Sequence, residues 1–255
     1  MSITIAITGK GGTGKTIIVS VLLKLLSEKY SEASILAIDA NLNSDLGRYL
    51  GVKLNGTLFD IRTGKHKYSY DVPKNISKQE YTDICIEDII SPFNEKVDVI
   101  ASGHAISLEC TCYTAKIIRE RMKNLSDNYD IVVIDCADDI GYLKNIINTD
   151  IDAIIILADS SRSAITSAAR LKYSARDMLL PEQTTLLLNK IRQRSLPDAI
   201  SALIDKFDLE IVGIIPYDEN LREYEYAGKS IFNLDSNSPV PQSLEQTLYR
   251  LNLPR

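Results

Sequence analysis

The sequence predicts an α/β fold: a single domain spanning 1-255, built on a mostly parallel central sheet of about seven or eight strands with helices on both faces. Three observations carry this. Apolar runs of strand length alternate with helical patterns from end to end, the order that builds parallel sheets through crossover connections. The runs are apolar throughout, as strands buried on both faces are. A glycine-rich turn joins the first strand pattern to the first helix pattern. The 255 residues suffice to bury such a core, and no repeat, low-complexity tract or linker interrupts the pattern.

The elements follow in order. "ITIAIT" (3-8) runs into the glycine turn. "KTIIVSVLLKLLSEKY" then carries apolar residues at three- and four-residue spacing, which predicts a helix. "SILAID" (34-39) is a strand ending on an acid. Segment 56-95 reads as an irregular, polar surface excursion, in which "TDICIEDI" alternates as a strand would. "VDVIAS" (97-102), "DIVVID" (130-135), "DAIIILA" (152-158), "TTLLLN" (184-189) and "EIVGIIP" (210-216) are the remaining strands. Helical patterns at about 113-126, 163-179, 197-207, 219-228 and 241-251 separate or follow them.

Composition narrows the function classes. Charged residues make up 25% and the formal net charge is -5, which argues against a broad nucleic-acid face. No apolar run approaches the ~20 residues of a membrane span. The C-terminal "SLEQTLYRLNLPR" has few cations, unlike a basic membrane-targeting helix. "MSITIAITGKGG" lacks a basic leader and a cleavage site, so the expected compartment is the cytoplasm. Disulfides are rare there, and paired cysteines more often mean metal or redox chemistry.

"GKGGTGKT" (9-16) fits G-x-x-x-x-G-K-[ST] between a strand and a helix, the context the motif requires. Successive N–H groups of Gly11, Gly12, Thr13 and Gly14, continuing into Ile17, would close around phosphate oxygens at a helix N-terminus. Lys15 would reach the β- and γ-phosphates, and the Thr16 hydroxyl would bind Mg²⁺. "DIVVID" ends on Asp135, an apolar strand closing on an acid that would hold Mg²⁺ through water. Lys10 is either a second cation aimed at a triphosphate or a solvated lysine.

With that second lysine, "KGGTGKT" resembles the MinD/ParA/NifH class of P-loop ATPases. The resemblance implies that Lys10 crosses a dimer interface to the partner's nucleotide. It covers residue 3 to about 230. It implies that Asp39 supports Mg²⁺ through water, that Asn41 stands where the class usually has the Asp that positions the attacking water, and that Asp45 is the downstream switch acid. Asn can hold a water but cannot take its proton, so hydrolysis to ADP and phosphate is expected to be slow. Asp139 matches the nitrogenase-type switch acid, or is a helix N-terminal acid favoured by the dipole. Asn189 and Lys190 resemble the adenine-side N-K, and Gly213, Pro216, Tyr217, Asp218 and Gly228 the segment that completes the base pocket.

Cys110 and Cys112, in "LECTCY", resemble the C-x-C of the CooC-type ATPases, which help insert nickel into carbon monoxide dehydrogenase. The resemblance implies a metallochaperone that dimerises on ATP and hands metal to a carbon monoxide dehydrogenase-like client. Two thiolates cannot saturate a tetrahedral ion, which takes four ligands. A two-fold homodimer would supply four sulfurs, suited to Ni²⁺ or Zn²⁺. The alternatives are a MinD/ParA-type regulatory switch with incidental thiols and a NifH-like iron-sulfur electron-transfer ATPase. His104 is an extra ligand or a loop residue. Cys85 and Cys136 sit in apolar strand contexts and read as buried small hydrophobes.

Overall fold

A computed structural model describes residues 2-41, 43-64, 72-103, 113-138, 140-143, 150-193 and 195-251. Among these, eight strands form one sheet. They are β1 (Ile3–Gly9), β2 (Ile35–Ala40), β3 (Ser91–Pro92), β4 (Val97–Ala101), β5 (Ile131–Cys136), β6 (Ala153–Ala158), β7 (Gln183–Ile191) and β8 (Ile211–Pro216). The spatial order is β3-β4-β2-β5-β1-β6-β7-β8. Every neighbouring pair is parallel except β3 with β4, an antiparallel edge. The helices are α1 (Lys15–Lys29), α2 (Leu46–Leu50), α3 (Leu58–Thr63), α4 (Lys78–Ile89), α5 (Tyr113–Ser126), α6 (Arg162–Met178), α7 (Asp198–Lys206), α8 (Glu219–Tyr226) and α9 (Pro239–Arg250).

The strand period of two divides each strand between two cores. Ile131 and Val133 of β5 pack with Ile18 and Leu22 of α1 and Leu244 of α9. Val132 and Ile134 face the other way, with Ile118 of α5 and Ile165 of α6. Strands covered on both sides are apolar along most of their length, as these are, with polar exceptions such as Asp39 and Asp135 near their carboxyl ends. α1 is itself buried almost all round, from Ile17 to Ser27. Its one long cation in that stretch, Lys24, donates to the Leu234 carbonyl at 2.6 Å and the Phe232 carbonyl at 3.0 Å.

Seven of the predicted strands and all six predicted helices lie where the sequence puts them, within a few residues. Segment 56-95 departs from expectation. It is not an irregular excursion: it holds α3, α4 and the edge strand β3 among its described residues. "TDICIEDI" belongs to α4. Its buried residues are Thr82, Cys85, Ile86 and Ile89, a helical stripe, while Ile84 is 49% exposed. The alternation was a chance overlay on a helix whose start is marked by Ser77 and Glu80, a reciprocal capping box. Cys85 is therefore buried on a helix, not a strand; Cys136 is buried at the end of β5.

Register sets the site. β2 and β5 pair so that Asp39 lies directly opposite Asp135, and β1 brings Ile7 opposite the same Asp135. Both acids and the glycine turn after β1 thus gather at the carboxyl edge of the central strands. Ligands bind at that edge in open α/β sheets.

Candidate active site

The turn between β1 and α1 holds three glycines at positive φ, Gly9, Gly12 and Gly14, and two of them are also tightly packed. Gly9 has φ 148, and a Cβ there would run into the Leu157 carbonyl of β6. Gly14, the N-cap of α1, has φ 91, and its Cβ would lie 2.9 Å from the Asn189 amide nitrogen. No side chain caps α1. Its first N–H groups therefore point outward from a helix end with partial positive charge, the arrangement that receives phosphate.

Lys15 donates to the Gly9 carbonyl at 2.9 Å. Burial lowers its pKa below the ordinary ammonium value, against the opposing charges of Asp135 and Asp138. Such a lysine, folded back on its own loop, is a cation with little water to lose on meeting an anion. Thr13 braces the loop through its hydroxyl, which donates to the Lys10 carbonyl at 2.8 Å. Lys10 points away and donates to Ser163 of α6 at 2.8 Å.

The two register-matched acids are fully buried. Asp39 accepts from the backbone N–H of Asn41 at 3.0 Å and of Leu46 at 2.8 Å, which fixes the start of α2. Burial still pushes its pKa up to about 6. Neither carboxylate oxygen of Asp135 makes a well-formed hydrogen bond among the described residues. Burial, then the charge of Asp39, pushes Asp135 up to about 7, while Thr16 and Asn41 lie near enough to oppose that weakly. A dry, orphaned carboxylate beside a second one and beside Thr16 is a donor set that suits a hard divalent cation. Thr16, Asp39 and Asp135 therefore fit Mg²⁺.

Asn41 turns its amide toward β5 and donates to the Asp135 backbone carbonyl at 3.2 Å. Asp45 sits at the start of α2, 3.5 Å from Arg48. With Lys15 and Thr16 they line a cavity of about 430 Å³. A second cavity of about 550 Å³ adjoins it and is lined by Asn189, Pro216, Tyr217 and Asp218. Asn189 there is engaged with the loop: its amide donates to the Thr13 carbonyl at 2.8 Å and its oxygen accepts from Lys190 N–H at 2.9 Å. Lys190 reaches the Gly12 carbonyl at 2.9 Å. The N-K pair thus struts the loop from β7. Asp218 caps α8 with one oxygen, and its other oxygen is buried without a partner among the described residues.

The structure brings Lys15, Thr16, Asn41 and Asp45 together at one cavity, with Asp39 and Asp135 fully buried next to Asn41 and Thr16 rather than lining it, and Asn189, Lys190, Pro216, Tyr217 and Asp218 at the next. Cys110, Cys112, His104 and Asp139 lie outside the described residues. Among the described residues no three of His, Cys, Asp and Glu are grouped to hold a metal ion. No described helix is long and apolar enough to cross a membrane. Sequence reasoning missed Asp138, Tyr49 and Glu225, which also line the first cavity. Asp138 stands three residues past Asp135, where the strand's acid could have drawn attention to it. Tyr49 and Glu225 are 176 residues apart, and one sequence carries no sign of their meeting.

Comparison with known proteins finds relatives over most of the chain. A family model described as AAA domain matches residues 1–177. An uncharacterised ATP-binding protein of Methanocaldococcus jannaschii is 29% identical over 245 residues, covering 95% of each chain. The carbon monoxide dehydrogenase accessory protein CooC of Rhodospirillum rubrum is 25% identical over 242 residues, 90% of this chain and 89% of that one. The septum site-determining protein MinD of Pyrococcus horikoshii, solved with Mg-ADP, superposes with TM-score 0.69 at 22% identity, covering 99% of this chain and 96% of that one. That last likeness shows the fold.

Proposed function

Because the chain belongs to the AAA domain family of P-loop ATPases, within the class related to MinD, ParA, CooC and NifH, we propose that it hydrolyses ATP with Mg²⁺ as the switch of a homodimer. The observation that carries this is Asp135. Its two oxygens are buried and orphaned beside Asp39, and above the raised pKa of the pair a bound cation relieves their repulsion. The loop N–H groups would bind the β- and γ-phosphates. Lys15 would leave the Gly9 carbonyl for them, and Thr16, Asp39 and Asp135 would hold the metal. A bound Mg²⁺ neutralises charge on the phosphates.

In the reaction, a water oxygen bonds to the γ-phosphorus. The bond from that phosphorus to the bridging oxygen breaks, and ADP leaves with the electron pair. Asn41 can orient the water but cannot accept its proton, so the proton passes to phosphate and turnover is slow. Asn189 holds the loop's shape, and one N–H and one lone pair of its amide are left for an adenine edge. The Asp218 oxygen and the backbone from Pro216 to Tyr217 complete that pocket. The test is thermal melting with ATP, with and without Mg²⁺. Stabilisation should need both, and Lys15→Ala should remove it. Equal stabilisation of Lys15→Ala would refute the site.

The finer reading is a metallochaperone. Cys110 and Cys112 from two copies would offer four thiolates to Ni²⁺ or Zn²⁺. Lys10, released from Ser163, would reach the partner's triphosphate. ATP and metal would then favour the same closed dimer, and each would raise affinity for the other. The C-x-C pair and the likeness to CooC support this, with a carbon monoxide dehydrogenase-like client. Metal content of the protein with and without ATP, in wild type and Cys112→Ser, decides it. If neither state of the wild type holds about one metal per dimer, the protein is a metal-free regulatory ATPase.

A further inference from the structure

The two cavities of the site share a boundary. Gly14, Ile17, Lys190 and Glu225 line both, so these residues stand where phosphate end and base end meet. Three of them belong to the floor: loop, helix α1 and the strut from β7. Glu225 comes from the opposite wall, near the end of α8. It does not stand alone. The Tyr49 hydroxyl, from α2, donates to its carboxylate at 2.9 Å. Burial and the Glu225 carboxylate push the Tyr49 phenol above its ordinary pKa, so it stays a donor at any physiological pH. Arg48 lies 4.4 Å from the Tyr49 ring centre. α2 leads out of the segment that carries Asn41 and Asp45, and α8 leads out of Asp218. One hydrogen bond therefore joins the phosphate wall to the base wall.

We propose that the Tyr49–Glu225 pair is a strap across the nucleotide cleft, gating the passage of nucleotide in both directions without setting its affinity. This rests on the ATP-binding reading above. The α2 end of the strap is anchored: Ser230 donates to the Leu50 carbonyl at 2.7 Å, and Gly51 closes the helix at φ 82. The helix does not have to move. Rotation of the exposed Glu225 side chain opens the mouth, while Tyr49, half-buried and packed against the core, stays in place. Such rotations take nanoseconds, so the fraction of time the bond is broken scales entry and exit alike. A bond present in both the empty and the filled protein cancels from the equilibrium constant. Tyr49 and Glu225 are gate residues on this account; neither touches a reacting atom.

The test is rapid filtration with tritiated ADP and Mg²⁺, measuring association and dissociation rates separately. In Tyr49→Phe both rates should rise about fivefold, the factor that one partly exposed hydrogen bond is worth, with the dissociation constant within about twofold of wild type. Glu225→Ala should match it, and the double variant should be no faster than either single one. Glu225→Gln keeps an acceptor and should stay near wild type. A rise in dissociation alone, with weaker binding, would make the pair an ordinary ligand contact and overturn the strap. Unchanged rates, or additive effects in the double variant, would overturn it too. No binding of ADP by the wild type would instead remove the ATP reading on which the strap stands.

Discussion

Asp135→Asn should stabilise the protein in the absence of metal, although it removes a residue at the heart of the site. Asp135 is fully buried and its folded-state pKa is raised from 3.8 to about 7. A carboxyl with a raised pKa supports folding below the unfolded value and loses that support as pH rises through the folded value. The loss therefore runs from about pH 4 to about pH 7 and is complete at pH 8. It amounts to about 4 kcal/mol at most. The asparagine amide is as poorly partnered as the acid, and an unsatisfied buried group costs about 1–3 kcal/mol. A net gain of about 2 kcal/mol remains, or about 4–8 °C in a chain of this size. The assay is a melting series from pH 5 to pH 8 in chelator. At pH 8 the variant should melt above wild type, and at pH 5 the two should converge as Asp135 takes up its proton. Added Mg²⁺ and ATP should raise wild type and leave the variant where it was. A variant that melts below wild type at pH 8 without metal would refute the argument, because Asp135 would then be making a favourable contact.

Three other outcomes follow from the same geometry. Gly14→Ala places a methyl at positive φ and 2.9 Å from the Asn189 amide; it should cost about 2 kcal/mol or more and weaken ATP binding, read by denaturant unfolding and calorimetry. Asn189→Ala removes the buried bond to the Thr13 carbonyl and should cost about 1–2 kcal/mol, with a loss of ATP affinity that inorganic tripolyphosphate binding shares because the loop itself loosens. Asn41→Asp supplies the missing proton acceptor and should raise the single-turnover rate about tenfold or more; no gain would mean that proton transfer does not limit the reaction.

The parts of this site that sequence revealed are those fixed by local chemistry. Positive φ at Gly12 and Gly14, a lysine and a threonine at a helix start, and a strand ending on an acid each follow from a short stretch of chain. The strands were legible because burial on both faces forces apolar runs. α4 was not, because its alternation outweighed the Ser77 and Glu80 cap that pointed the other way. The opposition of Asp39 and Asp135 depends on strand register. It brings together residues 96 positions apart, and no periodicity encodes it. The role of Asn189 as a strut likewise needs the loop in place, since the amide that suits an adenine edge suits the Thr13 carbonyl equally well. Tyr49 with Glu225 is the extreme case: two ordinary surface-type residues whose meeting exists only in the folded chain.

The central claim is that the loop, Lys15 and the two buried acids form a working Mg²⁺-ATP hydrolysis site. Single-turnover hydrolysis of γ-labelled ATP, with protein in excess over nucleotide, tests it most directly. Slow release of labelled phosphate is expected, requiring Mg²⁺, lost in Lys15→Ala and faster in Asn41→Asp. Labelled phosphate released equally by wild type and Lys15→Ala, or by neither, would contradict it.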